Sequence, residues 1–254
     1  MSTPEEATRK TLLAVGAHMD DCWYGMGGVA LTAVKSGHRV VFIQTVAYYS
    51  NWPVTQGREE EVGKRVRDVA ERHGVELRCL DYKYMHVPDD NEILLALAEH
   101  AEDIRPDILF LQWFDDTNRD HWKTGIAALY GCLRAYDYVH HPVQIASEAY
   151  AFELDSQCRN FQPEIYFDIT GVLPDLMRVM PEFDRIYAGQ LGVEPRDPVV
   201  ARYTDSRSGE TLDLTVHARH KLARAIIRGG ECGARFAEGF HAFRRKPVQR
   251  ALQL

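Results

Sequence analysis

The sequence lacks three features, and each absence excludes a class of protein. Its five cysteines form no CxxC pair, so it offers neither a thiolate zinc cluster nor a disulfide framework. No apolar run reaches the roughly 18 residues that a membrane-spanning helix needs. Positive charge is not in excess, because 30 lysines and arginines are outnumbered by 37 aspartates and glutamates. The net charge of −7 therefore disfavours a nucleic-acid partner.

The expected compartment follows from the same absences. Scattered, unpaired cysteines suit a reducing environment. The opening stretch MSTPEEATRK is polar and lacks the apolar segment of a secretory signal. We therefore expect a cytoplasmic protein with no membrane span.

What the chain does contain is a regular alternation of strand-like and helix-like segments. The apolar runs predict strands at 11–17, 38–46, 75–82, 104–114, 145–153 and 164–170. Helical patterns lie at 25–37, 58–74, 91–104, 123–139, 171–191 and 214–230. This alternation predicts a single α/β domain over residues 1–254, with a Rossmann-like, mostly parallel sheet covered by helices on both faces.

Two polar clusters directly follow the ends of two predicted strands. The first cluster contains His18, Asp20 and Asp21, and the second contains Asn118, Asp120 and His121. In open α/β sheets, ligands bind outside the carboxyl ends of the strands. The two clusters, about a hundred residues apart in sequence, are therefore expected at the same C-terminal rim of the sheet.

Histidine next to aspartate at this rim predicts a metal site. Imidazole and carboxylate form a common zinc ligand set, in which three protein ligands leave a fourth position open. His18 and Asp21, three residues apart in a tight turn, can converge on one ion, with His121 as the third ligand. Ferrous iron suits the same ligands. Asp20 is expected to face the open position, where a carboxylate takes the proton of the metal-bound water during attack.

Two other interpretations of this stretch stay open. A single aspartate at the position of Asp20 or Asp21 is typical of a helix N-cap. The glycines Gly25, Gly27 and Gly28 suggest a dinucleotide-binding fold, but their pattern is not G-x-G-x-x-G and no acidic residue ends the second strand. Close packing of the helix on the sheet explains these glycines more simply.

Several motifs together resemble one known family. GAHMDD at 16–21, followed by GMGG at 25–28, resembles the A-H-P-D-D signature of the PIG-L/LmbE-like N-deacetylases. Other landmarks resemble those of the family and follow its order: REEE at 58–61, IRPDILFLQW at 104–113, NRDHWKTG at 118–125, YFDIT at 166–170 and RFAEGF at 235–240. The resemblance spans residues 11 to about 240.

The resemblance implies a metal-dependent removal of the acetyl group from an N-acetylglucosamine-type sugar or its conjugate. It implies the same metal ligands, His18, Asp21 and His121, and the same general base, Asp20. An amidase acting on a larger sugar–amide conjugate and a non-catalytic sugar-binding protein remain as alternatives.

The resemblance also implies roles for residues around the metal. Arg58 would face the substrate sugar, and Asp120 would support the site through a hydrogen bond. Glu61 and Glu238 also match family positions, where we expect a surface salt bridge and a buried structural pairing, respectively.

The chain departs from the family pattern at two positions. Met19 replaces the family's proline without changing a ligand. Asn118 stands where the family has a histidine thought to stabilise the oxyanion or protonate the leaving amine. An asparagine amide can donate a hydrogen bond to an oxyanion but cannot deliver a proton. The alternative is that Asn118 only shapes its turn through a local backbone hydrogen bond.

Aromatic residues suggest a sugar-binding wall and an assembly. Tyr49 and Trp52, on the loop after the second predicted strand, are expected at the same rim, where their rings can stack on a sugar. Core packing or an oligomer contact are the alternatives for this loop. Aromatic residues are also frequent in the later segments EAYAFEL and PEIYFDIT, which predicts a homo-oligomer.

Overall fold

The structure is a computed structural model that describes residues 9–133, 146–154, 158–188, 199–207 and 209–244. Its strands are β1 (Thr11–Gly16), β2 (Arg39–Tyr48), β3 (Val75–Lys83), β4 (Ile108–Gln112), β5 (Glu148–Phe152), β6 (Ile165–Asp168), β7 (Ala201–Thr204), β8 (Thr211–Leu214) and β9 (Ala237–Arg244). Its helices are α1 (Asp21–Lys35), α2 (Glu59–Arg72), α3 (Asn91–Ile104), α4 (Arg119–Gly131), α5 (Leu173–Ala188) and α6 (Val216–Cys232). None of these helices is both long and apolar enough to cross a bilayer.

Seven strands form one mostly parallel sheet in the order β3-β2-β1-β4-β5-β9-β6. Strands β1 to β5 pair in parallel, whereas β9 runs antiparallel to both β5 and β6. Strands β4 and β5 are buried along their whole length, as expected for the middle of a sheet covered on both faces. The predicted Rossmann-like α/β fold is confirmed.

The order of the strands explains where a site can form. β1 is hydrogen-bonded to β2 on one side and to β4 on the other, so the chain changes direction across the sheet between β1 and β4. Such a switch point opens a crevice at the carboxyl ends of the two strands. The two polar clusters of the sequence follow these two strand ends.

Both helices at this crevice begin earlier than the sequence patterns predict. α1 begins at Asp21 instead of near 25, and α4 begins at Arg119 instead of at 123. Asn118 caps α4, because its Oδ1 accepts hydrogen bonds from the backbone N–H groups of Asp120 at 2.9 Å and His121 at 3.4 Å. Asp21 and His121 are therefore held in the first turns of two helices.

α1 is kinked at Met26, whose φ of −139° is not helical. The carboxylate of Glu238 on β9 accepts hydrogen bonds from the N–H groups of Gly28 and Val29 just beyond the kink, at 2.9 and 2.8 Å. Lys221 on α6 donates to the same carboxylate at 2.5 Å. Glu238 thus has the buried structural pairing expected from the sequence.

The glycines of α1 allow the helix to lie close against its neighbours. A Cβ atom at Gly25 would lie 2.0 Å from a ring carbon of Phe152 on β5, and one at Gly28 would lie 2.5 Å from Ile169. Any larger residue would therefore push the helix away from the sheet. Close packing, and not nucleotide binding, accounts for these positions.

Three strands were not predicted from the sequence. β7 and β8 form a separate two-stranded sheet of four residues per strand, and β9 occupies a segment recognised only by its motif. The predicted ends of two helices, at 134–139 and 189–191, lie outside the described residues.

Candidate metal and substrate site

A cavity of about 390 Å³ opens at the carboxyl ends of β1 and β4. Twelve residues line it: His18, Asp20, Asp21, Tyr24, Tyr49, Trp52, Tyr84, Asn118, His121, Leu154, Tyr187 and His217. The set includes every predicted site residue except Asp120 and Arg58.

Three buried side chains converge at the bottom of the cavity. His18, Asp21 and His121 each offer one ligand atom, and these atoms lie within 4.8 Å of one another. Nδ1 of His18 lies 3.0 Å from Nε2 of His121. The Asp21 carboxylate approaches these two nitrogens at 3.5 and 3.6 Å, respectively. This is the residue set that the sequence assigned to a metal.

Two further carboxylates lie beside the outer nitrogens of the histidines; the one at His18 forms a hydrogen bond, and the one at His121 is close without forming one. Oδ2 of Asp120 lies 3.1 Å from Nε2 of His18, and Oδ2 of Asp116 lies 3.1 Å from Nδ1 of His121. A carboxylate beside the outer ring nitrogen favours a proton on that nitrogen, which leaves the inner nitrogen with a lone pair. Two lone pairs 3.0 Å apart repel each other unless a cation or a proton lies between them. The donor set therefore fits a bound cation.

The charges of the cluster lead to the same conclusion. Burial alone would lower the pKa of His18, but the Asp120 and Asp21 carboxylates outweigh it and raise the pKa to about 10. Burial opposes ionisation of Asp21, yet His121 and His18 hold the pKa of Asp21 below its usual range. The pocket thus favours positive charge among its carboxylates, which a divalent cation would supply.

The turn that carries Asp21 is fixed by backbone hydrogen bonds. Oδ2 of Asp21 accepts from the N–H groups of Ala17 at 2.9 Å and His18 at 2.7 Å. A Cβ at Gly16 would lie 2.9 Å from Cβ of Asp21, so the glycine at the end of β1 allows this tight approach.

Met19, which stands where the family has a proline, makes a hydrogen bond that a proline could not make. Its backbone N–H donates to the hydroxyl of Tyr49 at 2.9 Å, a bond that proline cannot make. Tyr49 is thereby anchored in the cavity wall, beside the turn that carries the metal ligands.

Asp20 occupies the N-cap position of α1, but its side chain makes no capping hydrogen bond there. It lines the cavity instead and forms a hydrogen bond with Tyr187. Burial and the neighbouring Asp21 raise the pKa of Asp20, against the opposing effects of His217 and Tyr187. Burial and Asp20 in turn raise the pKa of Tyr187, which keeps its hydroxyl protonated as the donor.

Asn118 has the local role that the sequence left as an alternative. Its Oδ1 caps α4, while the residue as a whole also lines the cavity. The cap uses the carbonyl end of the amide and leaves Nδ2 as its donor group. The oxyanion contact of Asn118 stays a prediction.

Arg58 lies outside the residues that line the cavity. Its guanidinium pairs with Glu61, with Nε 3.0 Å from Oε2, and donates from Nη1 to the carbonyl oxygen of Ile186 at 3.2 Å. Arg58 therefore braces α2 against the end of α5 that carries Tyr187. The sugar contact predicted for Arg58 stays a prediction, and the salt bridge expected for Glu61 is present.

Four of the lining residues, Tyr49, Trp52, Tyr84 and Tyr187, form an aromatic wall of the cavity, and the sequence predicted only Tyr49 and Trp52. Tyr84 stacks on Trp52 with ring centroids 5.4 Å apart, and Tyr187 meets Trp52 edge-on at 5.1 Å. Tyr84 follows the end of β3, so its position after a parallel strand was a usable signal. Tyr187 comes from the far end of α5, and no local motif marks it.

Sequence reasoning also missed Asp116 and His217. The adjacent aspartates at 115–116, just beyond β4, were a signal for a residue that supports the metal site. His217 enters the cavity from the first turn of α6, where Nδ1 lies 2.6 Å from Oδ1 of Asp184. The packing of two distant helices places it there, so its local sequence gives no signal.

Solved structures with this fold include proteins named for different reactions. The conserved protein TT1542 from Thermus thermophilus has a TM-score of 0.72 at 18% identity, covering 95% of this chain and 100% of its own. The 4-carboxy-2-hydroxymuconate hydratase GalB from Pseudomonas putida has a TM-score of 0.70 at 18% identity, and the match covers 96% of this chain and 100% of GalB. The N,N′-diacetylchitobiose deacetylase from Pyrococcus horikoshii has a TM-score of 0.67 at 19% identity, and the match covers 96% of this chain and 94% of the deacetylase. The likeness establishes the fold, and the reaction has to be argued from the site.

The family match is confined to the part of the chain that carries the metal cluster. Residues 13–130 match the family model described as PIG-L, GlcNAc-PI de-N-acetylase. This segment contains His18 and Asp21 after β1 and His121 after β4. Over this segment, which is less than half of the chain, the sequence is similar to the PIG-L family.

Proposed function

We propose that the protein is a metal-dependent N-deacetylase that hydrolyses the acetamide of an N-acetylglucosamine-type sugar or conjugate. One observation carries the proposal: a three-ligand cluster, the buried carboxylate of Asp20 and a wall of aromatic rings meet in one cavity. The description of the family model and the name of the chitobiose deacetylase support the same reaction class.

His18, Asp21 and His121 would hold the metal ion. Two imidazoles and one carboxylate suit Zn²⁺, and Fe²⁺ accepts the same ligands. When bound, such an ion polarises a carbonyl group and lowers the pKa of water. Asp120 forms a hydrogen bond with the outer nitrogen of His18, and the Asp116 carboxylate lies 3.1 Å from the outer nitrogen of His121, so both favour the inner nitrogens as ligands.

Asp20 acts as the general base. It lines the cavity between the two ligands of the β1–α1 turn, where a buried carboxylate that is not itself a ligand can accept a proton from water. The hydrogen bond from Tyr187 fixes the direction of its carboxylate. Asn118 would donate from Nδ2 to the negative charge that develops on the carbonyl oxygen.

The aromatic wall supports a sugar as the substrate. Four aromatic residues, Tyr49, Trp52, Tyr84 and Tyr187, line a cavity of about 390 Å³. This volume lies within the range of about 300–1,000 Å³ typical of small-molecule sites. The apolar face of a pyranose ring can pack on such rings, while its hydroxyl groups face the polar side of the cavity.

A substrate panel tests this proposal. Protein loaded with Zn²⁺, or with Fe²⁺ under anaerobic conditions, is incubated with N-acetylglucosamine, N,N′-diacetylchitobiose and N-acetylglucosaminyl-inositol, and the released primary amine and acetate are measured. Equal release of both products is the expected result. Cleavage only of amides with larger acyl groups would favour the amidase alternative. Sugar binding without amine release, despite bound metal, would favour a non-catalytic binding protein.

A further inference from the structure

Arg58, the residue directly before α2, is bound on two sides. Its Nε and Nη2 donate to the two carboxylate oxygens of Glu61 at 3.0 and 3.1 Å, a bidentate pair within one helical turn. Its Nη1 donates to the carbonyl oxygen of Ile186 at 3.2 Å. The side chain keeps only 11% of its accessible surface, and Arg58 is not among the residues that line the cavity. The guanidinium therefore joins α2 to α5 outside the substrate cavity.

The carbonyl group that accepts this bond directly precedes a cavity residue. Ile186 lies in the last turn of α5, where backbone carbonyl groups have no partner within the helix and a positive charge is favoured. The next residue, Tyr187, lines the cavity, and its hydroxyl bonds Asp20. A donor that fixes the backbone of Ile186 thus also limits where the ring and the hydroxyl of Tyr187 can lie.

The loop from Tyr49 to Arg58 meets the end of α5 a second time. The hydroxyl of the buried Thr55 donates to the carbonyl oxygen of Tyr49 at 2.9 Å. The N–H of Thr55 donates to the carbonyl oxygen of Trp52 at 3.0 Å, and the N–H of Arg58 donates to that of Thr55 at 2.9 Å. Trp52 meets the ring of Tyr187 edge-on, with centroids 5.1 Å apart. The loop therefore contacts the end of α5 through Trp52 in the cavity wall and through Arg58 behind it.

Packing alone does not hold α2 against α5. A cleft of about 200 Å³ lies between the two helices, with the charged side chains of Arg65, Arg72 and Glu182 in its lining. Arg72, at the other end of α2, forms an ion pair with Glu182. Polar contacts therefore help to hold the two helices together, and the contact of Arg58 is next to Tyr187.

We propose that Arg58 is a positioning residue, whose bond to the Ile186 carbonyl fixes Tyr187 and, through it, the carboxylate of Asp20. The inference rests on the proposed function, in which Asp20 is the general base. It differs from the sugar contact expected from the family resemblance. A positioning role affects every substrate whose hydrolysis needs Asp20, whereas a sugar contact affects only substrates that contain a sugar.

A substrate without a sugar separates the two roles. The substrates are the best amide of the panel and 4-nitrophenyl acetate, an ester that carries the acetyl group but no sugar. The ester turnover of Asp20→Asn is subtracted, so that only hydrolysis that needs Asp20 is compared. The main variant is Arg58→Ala. The conservative variant Arg58→Lys keeps a donor for the Ile186 carbonyl but loses the bidentate geometry.

Two matched controls remove neighbouring contacts. Arg65→Ala takes away a second partner of Glu61, which lies 2.8 Å from the same carboxylate. Arg72→Ala breaks a different polar contact between α2 and α5. Neither arginine lines the cavity, so both changes should leave kcat within about twofold of the wild type.

The expected result is an equal loss on the two substrates. Arg58→Ala should lower kcat by about 10-fold on the amide and on the ester, the size expected for one hydrogen bond of a charged group. KM for the amide should change by less than about threefold, and Arg58→Lys should recover part of the loss. In the Tyr187→Ala background, Arg58→Ala should cause no further loss, because the side chain through which it acts is absent. Metal content and melting temperature are measured for each variant, and Arg58→Met replaces Arg58→Ala if the latter does not fold.

The other outcomes overturn the inference in distinguishable ways. A loss confined to the amide, mainly through KM, would mean that Arg58 binds the sugar, and the proposed function would stand. Unchanged turnover in Arg58→Ala, losses that multiply in the Arg58→Ala/Tyr187→Ala double variant, or an equal loss in either control would also remove the positioning role. A wild type that cleaves only the ester would overturn the proposed function, while the ester rates and the double variant would still decide the role of Arg58. A wild type inactive on both substrates would overturn both proposals.

Discussion

At the scale of single residues, the site depends on side chains that form hydrogen bonds with the backbone and also line the cavity. Asp21 fixes the turn after β1 while offering a ligand atom, and Asn118 caps α4 beside His121. The sequence predicted these residues because each follows a strand end and belongs to a recognisable motif. It did not predict Tyr187 or His217, since only the packing of α5 and α6 brings them to the cavity.

The first prediction separates the base from the metal ligands. Asp20→Asn removes the proton acceptor but no ligand, so turnover should fall by about 10²–10⁴-fold. Metal content, measured by elemental analysis, should not change. Asp213→Asn, at an exposed position of β8, is the matched control. Full turnover in Asp20→Asn would show that another group is the base.

The second prediction separates the two roles of Asn118. Asn118→Ala removes the cap of α4 and should lower the free energy of unfolding by about 1 kcal/mol in urea denaturation. Asn118→Asp keeps a capping oxygen and should retain the stability. Both variants lack the amide donor, so both should lose turnover, by about 100-fold for alanine. Wild-type turnover in Asn118→Ala would leave only the capping role.

At the scale of secondary structure, the strongly patterned elements were predictable and the ones built by distant contacts were not. The continuous apolar runs of β1 and β4 identify buried strands, and the helix at 91–104 was predicted with the bounds that α3 has. The kink of α1 depends on Glu238, more than two hundred residues away in sequence. The short hairpin of β7 and β8 has alternating exposed positions and too few apolar residues to be recognised.

The third prediction concerns the contact that holds the kink. Lys221→Met leaves the buried carboxylate of Glu238 without its cation, so the free energy of unfolding should fall by about 3–5 kcal/mol. Lys64→Met removes an exposed partner of Asp68 on α2 and should change the free energy of unfolding by less than about 1 kcal/mol. Urea denaturation measures both. Equal, small effects of the two changes would show that the buried pair does not support the kink.

At the scale of the whole molecule, the fold determines where the site lies but does not determine which reaction takes place there. A hydratase and a deacetylase share this architecture with the chain, at 18% and 19% identity. The crevice between β1 and β4 was predictable, because buried parallel strands must place their carboxyl ends on one rim. The substrate was not predictable to the same depth, since the rings in the wall come from separate loops and helices.

The fourth prediction concerns assembly, which, like the cytoplasmic location, stays a prediction from the sequence. Aromatic segments in the later part of the chain favour a homo-oligomer. Light scattering should give a mass that is a multiple of 29.0 kDa. A mass of one chain at all concentrations would contradict it.

The central claim is that His18, Asp21 and His121 bind one metal ion, and elemental analysis of anaerobically purified protein tests it most directly. The wild type should carry about one zinc or iron per chain, as expected for a three-ligand site. His121→Ala should lose most of this metal, whereas the control His86→Ala, at an exposed position, should keep it. A wild type without metal after equilibration with Zn²⁺ and Fe²⁺, or His121→Ala with full occupancy, would contradict the account.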